Sequence, residues 1–351
     1  MKIAVIGSGF FGSIISLVLS KSHKVHLFEK ENDILNGASK INQFRFHLGF
    51  HYPRSPDTIR EIKSSEKLFK KFFPKNIFGK TQNYYAVANK DSKISFNRYI
   101  EILKKYKLKY KIKKNTQFNK ISDLILTKEK ILNYFTFKNI LKKKILASNV
   151  ELFLNKEFNK KNIPLYDKII VCTYSQNNKI LNEMGLKKNN SKYRYELIEK
   201  ILVKLPTYYK NKSFIVMDGQ FVCIDPYLGT KYHLLSDVKF SKIEVVNKKF
   251  TNFKSTKFRY VNNKLNKNIK ISNFKKFINH GSQYLPFLLK AKYVGSFFII
   301  RTLRQNVEKT DERMGEIQFL NKKFISIFSS KWNTSVHIAN KLYKMLRLDH
   351  D

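Results

Sequence analysis

Apolar positions along the chain fall into two rhythms, short unbroken runs and longer stretches at helical spacing. The run Ile3-Ala4-Val5-Ile6 gives way to Gly7-Ser8-Gly9-Phe10-Phe11-Gly12, and apolar residues then continue to Leu19. A second run, Val25-His26-Leu27-Phe28, ends on Glu29. Strand, glycine turn, helix, strand and acid in this order open a βαβ unit of the dinucleotide-binding kind. The first glycine allows a tight turn out of the strand, the second a close approach to a pyrophosphate, and the third close packing of helix on strand. Exposed amides at the helix start favour phosphate charge. A carboxylate at Glu29 suits a ribose hydroxyl.

Farther along, Pro56 to Phe73 reads as a helix with an apolar face of Ile59, Ile62, Leu68, Phe69, Phe72 and Phe73. Tyr84–Ala88 reads as a strand, Ser95–Tyr106 as a Ser-capped helix, Tyr134–Leu146 as a helix and Val150–Leu154 as a strand. Tyr166 to Thr173 has the pattern of a buried strand with a small polar end, which makes Thr173 a candidate ligand contact. Between Lys192 and Phe250 the runs become short and closely spaced, with turns at Asp218-Gly219 and Pro226–Gly229, as in an antiparallel sheet. Leu265–Leu289 reads as helical with a break near Pro286, and Tyr293–Arg301 as a strand. Phe324–Phe328, a loop through Ser329 and Ser330 to Thr334, and a helix from Ser335 to Met345 form a second strand-loop-helix. The expected fold class is α/β (α+β overall), a Rossmann-like unit with an inserted antiparallel sheet. Residues 1–80, 115–175 and 290–351 are expected in the cofactor domain, and 81–114 and 176–289 in the substrate domain.

Composition changes this picture little. The net charge is +43, but lysines are dispersed and travel with Asn, Ile, Phe and Tyr, as in a chain with A/T-rich codons. No arginine-rich block or RNA-binding motif appears, so nucleic acid is not expected as the main partner. Weak attraction to anionic surfaces is compatible with the charge. No apolar run is long enough to span a bilayer. Met1-Lys2 leads at once into a strand, so a cytoplasmic setting is expected. Two cysteines, Cys172 and Cys223, and no ligand cluster argue against a disulfide framework or a bound metal.

The order of the glycine turn with Glu29, the segment Gly37-Ala38-Ser39 to Gly49, the stretch Ile125–Glu129 and the closing strand-loop-helix resembles FAD-dependent oxidoreductases of the D-amino-acid-oxidase type. The resemblance covers most of the chain, specifically at its ends and loosely in its middle. It implies that Gly7, Gly9, Phe10, Phe11, Gly12, Glu29 and Lys30 hold the ADP half of FAD and that the backbone at Val150 touches adenine. Ser39, Asn42 and Arg45 would lie along FAD, and Lys331, Trp332, Asn333 and Thr334 near its isoalloxazine. His47-Leu48-Gly49-Phe50-His51-Tyr52 looks like the His-x-Gly-x-Tyr-Tyr segment of the L-2-hydroxyglutarate dehydrogenase branch, with His51 in place of the first Tyr. Ser329-Ser330 stands where the family commonly has glycine.

The expected activity is transfer of hydride to the flavin from a C–N or C–O bond of a small anionic substrate, an amino acid or 2-hydroxy acid. Two alternatives stand beside it: action on a nucleotide-sugar or amino-sugar in surface-polysaccharide metabolism, and flavin binding without oxidative turnover. Nothing in the residues specifies the electron acceptor. His47 and then His51 are candidate proton acceptors; the alternative is that they bridge backbone groups. Arg301, at the end of an apolar strand, is the first candidate anchor for an anion, and Arg54 the second. The competing role for Arg301 is an ion pair with Asp225, Asp237 or Glu308. Tyr232 or His233 could line the pocket, and alternation allows only one of them to do so. Asp218, Gly219 and Asp225 read as turn residues.

Overall fold

Four of the five residues in the strand Lys2–Ile6 are buried. A strand apolar on both faces belongs inside a covered parallel sheet. The computed structural model, which describes residues 1–186, 192–261, 264–307, 309–329 and 331–348, places it there. Six strands run in the order Glu316–Phe319, Phe324–Phe328, Lys168–Val171, Lys2–Ile6, Lys24–Phe28, Val150–Phe153. Neighbours are parallel except for the first two, which are antiparallel. Alternate side chains divide between two cores. Ile3 and Val5 meet the helices Phe10–Leu19, Tyr134–Leu146 and Ser335–Leu348. Ala4 and Ile6 meet Ile169, Val171 and Leu181 on the other face.

The turn between the first strand and helix has the geometry its glycines require. Gly7 has φ +93°, a region that side-chain-bearing residues rarely adopt. At Gly12 the helix crosses so close to the strand end that a Cβ would collide with the carbonyl of Gly7.

The second sheet has nine strands and is built along Tyr193–Lys204, twelve residues long. Lys292–Arg304 pairs with this strand over its whole length, and Lys242–Lys248 and Tyr232–Asp237 share its other edge. The sheet continues through Val222–Tyr227, Lys212–Met217, Gln82–Val87, Leu124–Thr127 and Tyr110–Lys113. It is antiparallel except where Lys212–Met217 runs parallel to Gln82–Val87. Leu124–Thr127 and Lys292–Arg304, grouped above with the cofactor domain, are thus hydrogen-bonded into this sheet. Register aligns Arg301 with Glu196, Phe297 with Lys200, Ser236 with Cys223, Leu234 with Asp225 and Ile215 with Tyr85. Opposed residues share a face, so these side chains look the same way.

The α/β expectation holds, with local corrections. Of the stretch expected to be helical from Leu265 to Leu289, only Phe274–Gly281 is α-helix, followed by a 3-10 turn at Pro286–Lys290. The buried carboxylate of Glu199 accepts from Oγ of Ser272 (2.5 Å) and N of Asn273 (2.9 Å), and the backbone of Asn266 pairs with Ser296. These bonds compete with helix formation. Tyr110–Lys113 and Glu316–Phe319, four residues each and none of them fully buried, lie at sheet edges. Among the described residues no helix is long and apolar enough to cross a membrane, and no His/Cys/Asp/Glu group is placed to hold a metal.

Gly12→Ala should destabilise the protein by about 3 kcal/mol, the upper range of overpacking costs. Denaturant unfolding checks this; a midpoint equal to wild type would refute the steric argument.

Candidate functional site

The glycine turn builds one end of the site. Gly9 is the N-cap of Phe10–Leu19 and supplies no side-chain cap, and the first turn contains no acid. The amide of Phe10 donates to Oγ of Ser39 at 3.3 Å. A Cβ on Gly9 would stand 3.2 Å from the same oxygen, so the turn has little space for a side chain. Glu29 follows the second strand as expected, and its carboxylate accepts from N and Oγ of Ser8 at 2.8 and 2.7 Å. Lys30 is exposed beside it, and Val150 begins the adjacent edge strand. Thr173 lies past the strand Lys168–Val171 and donates through N and Oγ1 to Oδ1 of Asn177. Phe10 stacks on Trp332 at 5.5 Å, while Phe11 is a core residue.

The segment after Glu29 runs from this turn to the nine-stranded sheet. Asn42 turns the chain by accepting from N of Phe44 at 3.0 Å. Arg45 then meets Asp225: its Nη2 lies 2.6 and 2.5 Å from the two carboxylate oxygens, and Ser213 donates to Oδ1 at 2.6 Å. Burial opposes the Arg45 charge, but Asp225 outweighs burial and holds the guanidinium pKa above its ordinary value. Asp225 is a buried strand residue here, not the turn residue expected. The strand holds it because Arg45 neutralises it, and Arg45 is remote in sequence.

Beyond Arg45 lie His47, His51 and Tyr52. The imidazoles are 5.6 Å apart, and Tyr52 meets them at 5.4 and 5.2 Å, respectively. Burial, then Lys331 and other cations for His47 and Arg45 and other cations for His51, push both imidazoles well below their ordinary pKa. Both are therefore neutral near pH 7. Gly49 shapes the loop with φ +111°. The loop is fastened twice more. Leu48 N donates to Glu129 at 2.7 Å, and Asn333 Nδ2 donates to the carbonyl of His47 at 2.9 Å. Glu129 also accepts from the hydroxyl of Tyr85 at 2.6 Å.

The C-terminal turn closes the other end. The ammonium of Lys331 is 4.9 Å from the centroid of the Tyr52 ring, and burial pushes it down to about 7. Trp332 packs against Phe46 and Phe69 as well as Phe10. Thr334 returns its hydroxyl to the carbonyl of Lys331 at 2.8 Å. Ser330 lies outside the described residues.

Among the described residues, six buried polar atoms in this neighbourhood have no hydrogen-bond partner: Nε of Arg45, Nδ1 of His47 and His51, the hydroxyl of Tyr52, Nε1 of Trp332 and Oδ1 of Asn333. Buried polar atoms are nearly always paired. A cluster of orphans between loop and turn fits a polar ligand, and the adjoining helix start at Phe10, with no side-chain cap from Gly9, fits phosphate. The residues present thus suit an extended dinucleotide cofactor.

The candidate anion contacts are occupied differently. Nε of Arg301 lies 2.7 Å from Glu196, its Nη2 binds the same carboxylate, and Arg194 adds a contact at 3.0 Å. The partner is therefore neither Asp225 nor Asp237, which engages His280 at 2.6 Å; Glu308 lies outside the described residues. Arg54 holds Asp218, with Nε 2.5 Å from Oδ2, and also the carbonyl of Lys309. Tyr232 is half-buried against the Rossmann core, while His233 points to the opposite face and meets the carbonyl of Tyr209 at 3.0 Å. Glu129, Asp225, Tyr85 and Tyr52 acquire roles only through contacts from distant segments. Asp225 is a polar residue inside an apolar run, whereas Glu129 stands between two lysines and Tyr52 between His51 and Pro53, and no local pattern marks their partners.

Burial is the main cause that pushes Glu129 up to about 7, against an ordinary 4.5. Between those values the folded protein keeps a proton that the unfolded chain releases. Stability therefore falls as pH rises through this window, by up to ~3 kcal/mol from this group. Glu129→Gln should flatten the change in thermal midpoint between pH 5 and 8, and an unchanged slope would count against the assignment.

Comparison with known proteins gives the context. Residues 5–71 match the model of the NAD(P)-binding Rossmann-like domain. The chain is 34% identical over 103 residues to the FAD-dependent monooxygenase FPY4 of Fusarium mangiferae, covering 29% of this chain and 28% of that one. It is 31% identical over 93 residues to the FAD-dependent monooxygenase kojA of Aspergillus flavus, covering 26% and 22%. The chain thus spans about a quarter of the length of these curated relatives. Over nearly its whole length it is similar in structure to the L-alpha-glycerophosphate oxidase of Mycoplasma pneumoniae with FAD bound (TM-score 0.70, 13% identity, 99% of this chain and 94% of that one). The glycine oxidase of Geobacillus kaustophilus gives a TM-score of 0.66 at 12% identity, covering 95% and 90%. The chain therefore has an N-terminal NAD(P)-binding Rossmann-like domain within the fold of the D-amino-acid-oxidase type of flavoenzyme.

Proposed function

We propose that this protein is a FAD-dependent oxidoreductase that removes hydride from a C–N or C–O bond of a small anionic molecule. The observation that carries this reading is the cluster of orphaned buried polar atoms from Arg45 to Tyr52 and at Trp332 and Asn333, beside a helix start that lacks a side-chain cap from its own N-cap residue and that Trp332 packs against. Gly7, Gly9 and the amides of Phe11 and Gly12 would hold the pyrophosphate beside Phe10, whose own amide is held by Ser39; Glu29 would hold a ribose, and Val150 and Thr173 the flanks of that half. Ser39, Asn42 and Arg45 would follow the cofactor, and Lys331 to Thr334 would meet its ring system. When bound, FAD supplies the hydride acceptor.

The protein's own contribution is orientation, exclusion of water and a place for a proton. Neutral His47, whose Nδ1 makes no hydrogen bond and lies 3.9 Å from Oε1 of Glu129, is suited to accept a proton from a substrate hydroxyl or amine. The carbonyl of His47 is pinned by Asn333, and the next amide by Glu129. Those two bonds fix the imidazole's approach without occupying Nδ1. Lys331 would supply positive charge where negative charge develops on the cofactor ring. The nine-stranded sheet forms the substrate-facing wall of this reading. Structural neighbours of this fold, a glycine oxidase and an L-proline dehydrogenase among them, favour amino-acid-type substrates.

Purified protein should carry a yellow chromophore released as FAD, and a substrate panel of amino and 2-hydroxy acids should bleach it without oxygen. Protein that neither contains nor takes up FAD would defeat the proposal. Gly9→Val should abolish FAD retention, because its Cβ already meets Ser39 and the added methyl groups extend into the phosphate approach. Stoichiometric FAD in that variant would contradict the assigned turn.

A further inference from the structure

Lys200 stands mid-strand on the sheet face that looks toward the loop after Glu29. Its Nζ is 3.0 Å from Oε1 of Gln43 and 3.2 Å from Oγ of Ser236. The Gln43 amide donates in turn to Sγ of Cys223 and the carbonyl of Leu234, both at 3.4 Å. An ammonium carries three N–H groups. Two are used here, on neutral acceptors, and one is left.

The arginines of the same region differ. Arg45 holds Asp225, Arg54 holds Asp218, and Arg301 holds Glu196. Arg304 holds Glu312 and Glu316, and Arg313 holds Asp311. Among the described residues Lys200 has no such carboxylate. Arg301 and Arg45 lie near enough to add positive potential, which Asp225 offsets only in part because Asp225 is bound to Arg45. Lys200, Gln43, Cys223 and Ser236 are only half-buried, so solvent reaches the space they line. A half-buried charge without a counter-ion still carries a desolvation cost. Consistent with that cost, burial pushes the Lys200 ammonium down to about 8. An anion entering the space would supply both the missing charge and an acceptor for the third N–H.

We propose that Lys200, with Gln43 and Ser236, is the subsite that receives the anionic group of the substrate, a carboxylate or a phosphate. Arg301, committed to Glu196, frames this subsite without anchoring the anion. The proposal rests on the flavoenzyme reading above and extends it to the substrate's charged end.

The test uses the FAD-loaded protein, titrated with sodium benzoate and separately with inorganic phosphate at constant ionic strength. Flavin absorbance and thermal midpoint are read together. Wild type should show a saturable response to at least one anion. A benzoate response assigns the subsite to carboxylates and a phosphate response to phosphates. Lys200→Met should weaken that binding by about tenfold or more, the loss of one charge-assisted hydrogen bond. Lys200→Arg should retain most of it. Lys204→Met removes the same charge from an exposed position on the same strand and should leave binding unchanged. If Lys200→Met does not fold, Ser236→Ala should still weaken binding measurably. No saturable response in wild type, an undiminished response in Lys200→Met or Ser236→Ala, or an equal loss in Lys204→Met would overturn the proposal. Should the protein hold no FAD, the thermal midpoint still reports anion binding, so failure of the flavoenzyme reading is seen separately.

Discussion

The pair between Arg45 and Asp225 is the contact on which the arrangement of the site depends. Both residues are almost fully buried, and they are 180 positions apart in sequence. Removing one partner of such a pair leaves a desolvated charge and costs about 3–5 kcal/mol. The chain following the Rossmann turn is thereby held against the middle of the second sheet. Everything from Asn42 to Tyr52 takes its position from that anchor, with Glu129 and Asn333 securing the next stretch. A buried pair of this kind adds little net stability. Its effect is to select one placement of the loop, since any other would strand Arg45 or Asp225.

The charge pattern around the loop follows from the same logic. The protein carries a large excess of lysine and arginine, yet its innermost arginines each have a carboxylate. The imidazoles are surrounded by cations and by apolar walls, so they stay neutral. Two lysines, Lys200 and Lys331, hold their ammonium groups among neutral or aromatic neighbours. The interior thus separates fixed cations, neutral bases and uncompensated ammoniums. Dispersed basic composition hides this separation completely.

The parts of the fold that depend on local pattern were legible in the sequence. Gly7, Gly9 and Gly12 specify a turn through their missing side chains, and Tyr134–Leu146 has helical period and forms that helix. The strand, loop and helix from Phe324 onward were legible as elements, but the stack of Trp332 on Phe10 that joins them to the first helix was not. What depends on distant partners was not legible. Asp225 beside Pro226 has the composition of a turn, and only Arg45 makes it a strand residue. The apolar residues from Leu265 onward suggest a helix, but Glu199, two strands away, captures Ser272 and Asn273. Glu196 satisfies Arg301 from the neighbouring strand, a pairing fixed by register that no spacing along the chain reveals.

The contact between the first and last helices has a consequence for how the protein is made. Ser22 beside the first helix meets Tyr343 in the last, 321 positions away, and Phe10 rests on Trp332. The first helix is made long before the residues that cover part of its apolar surface, which follow some 321 positions later. Until that stretch has been made, Phe10, Ile14 and their neighbours lack part of their cover, an interval in which chaperones can reach them.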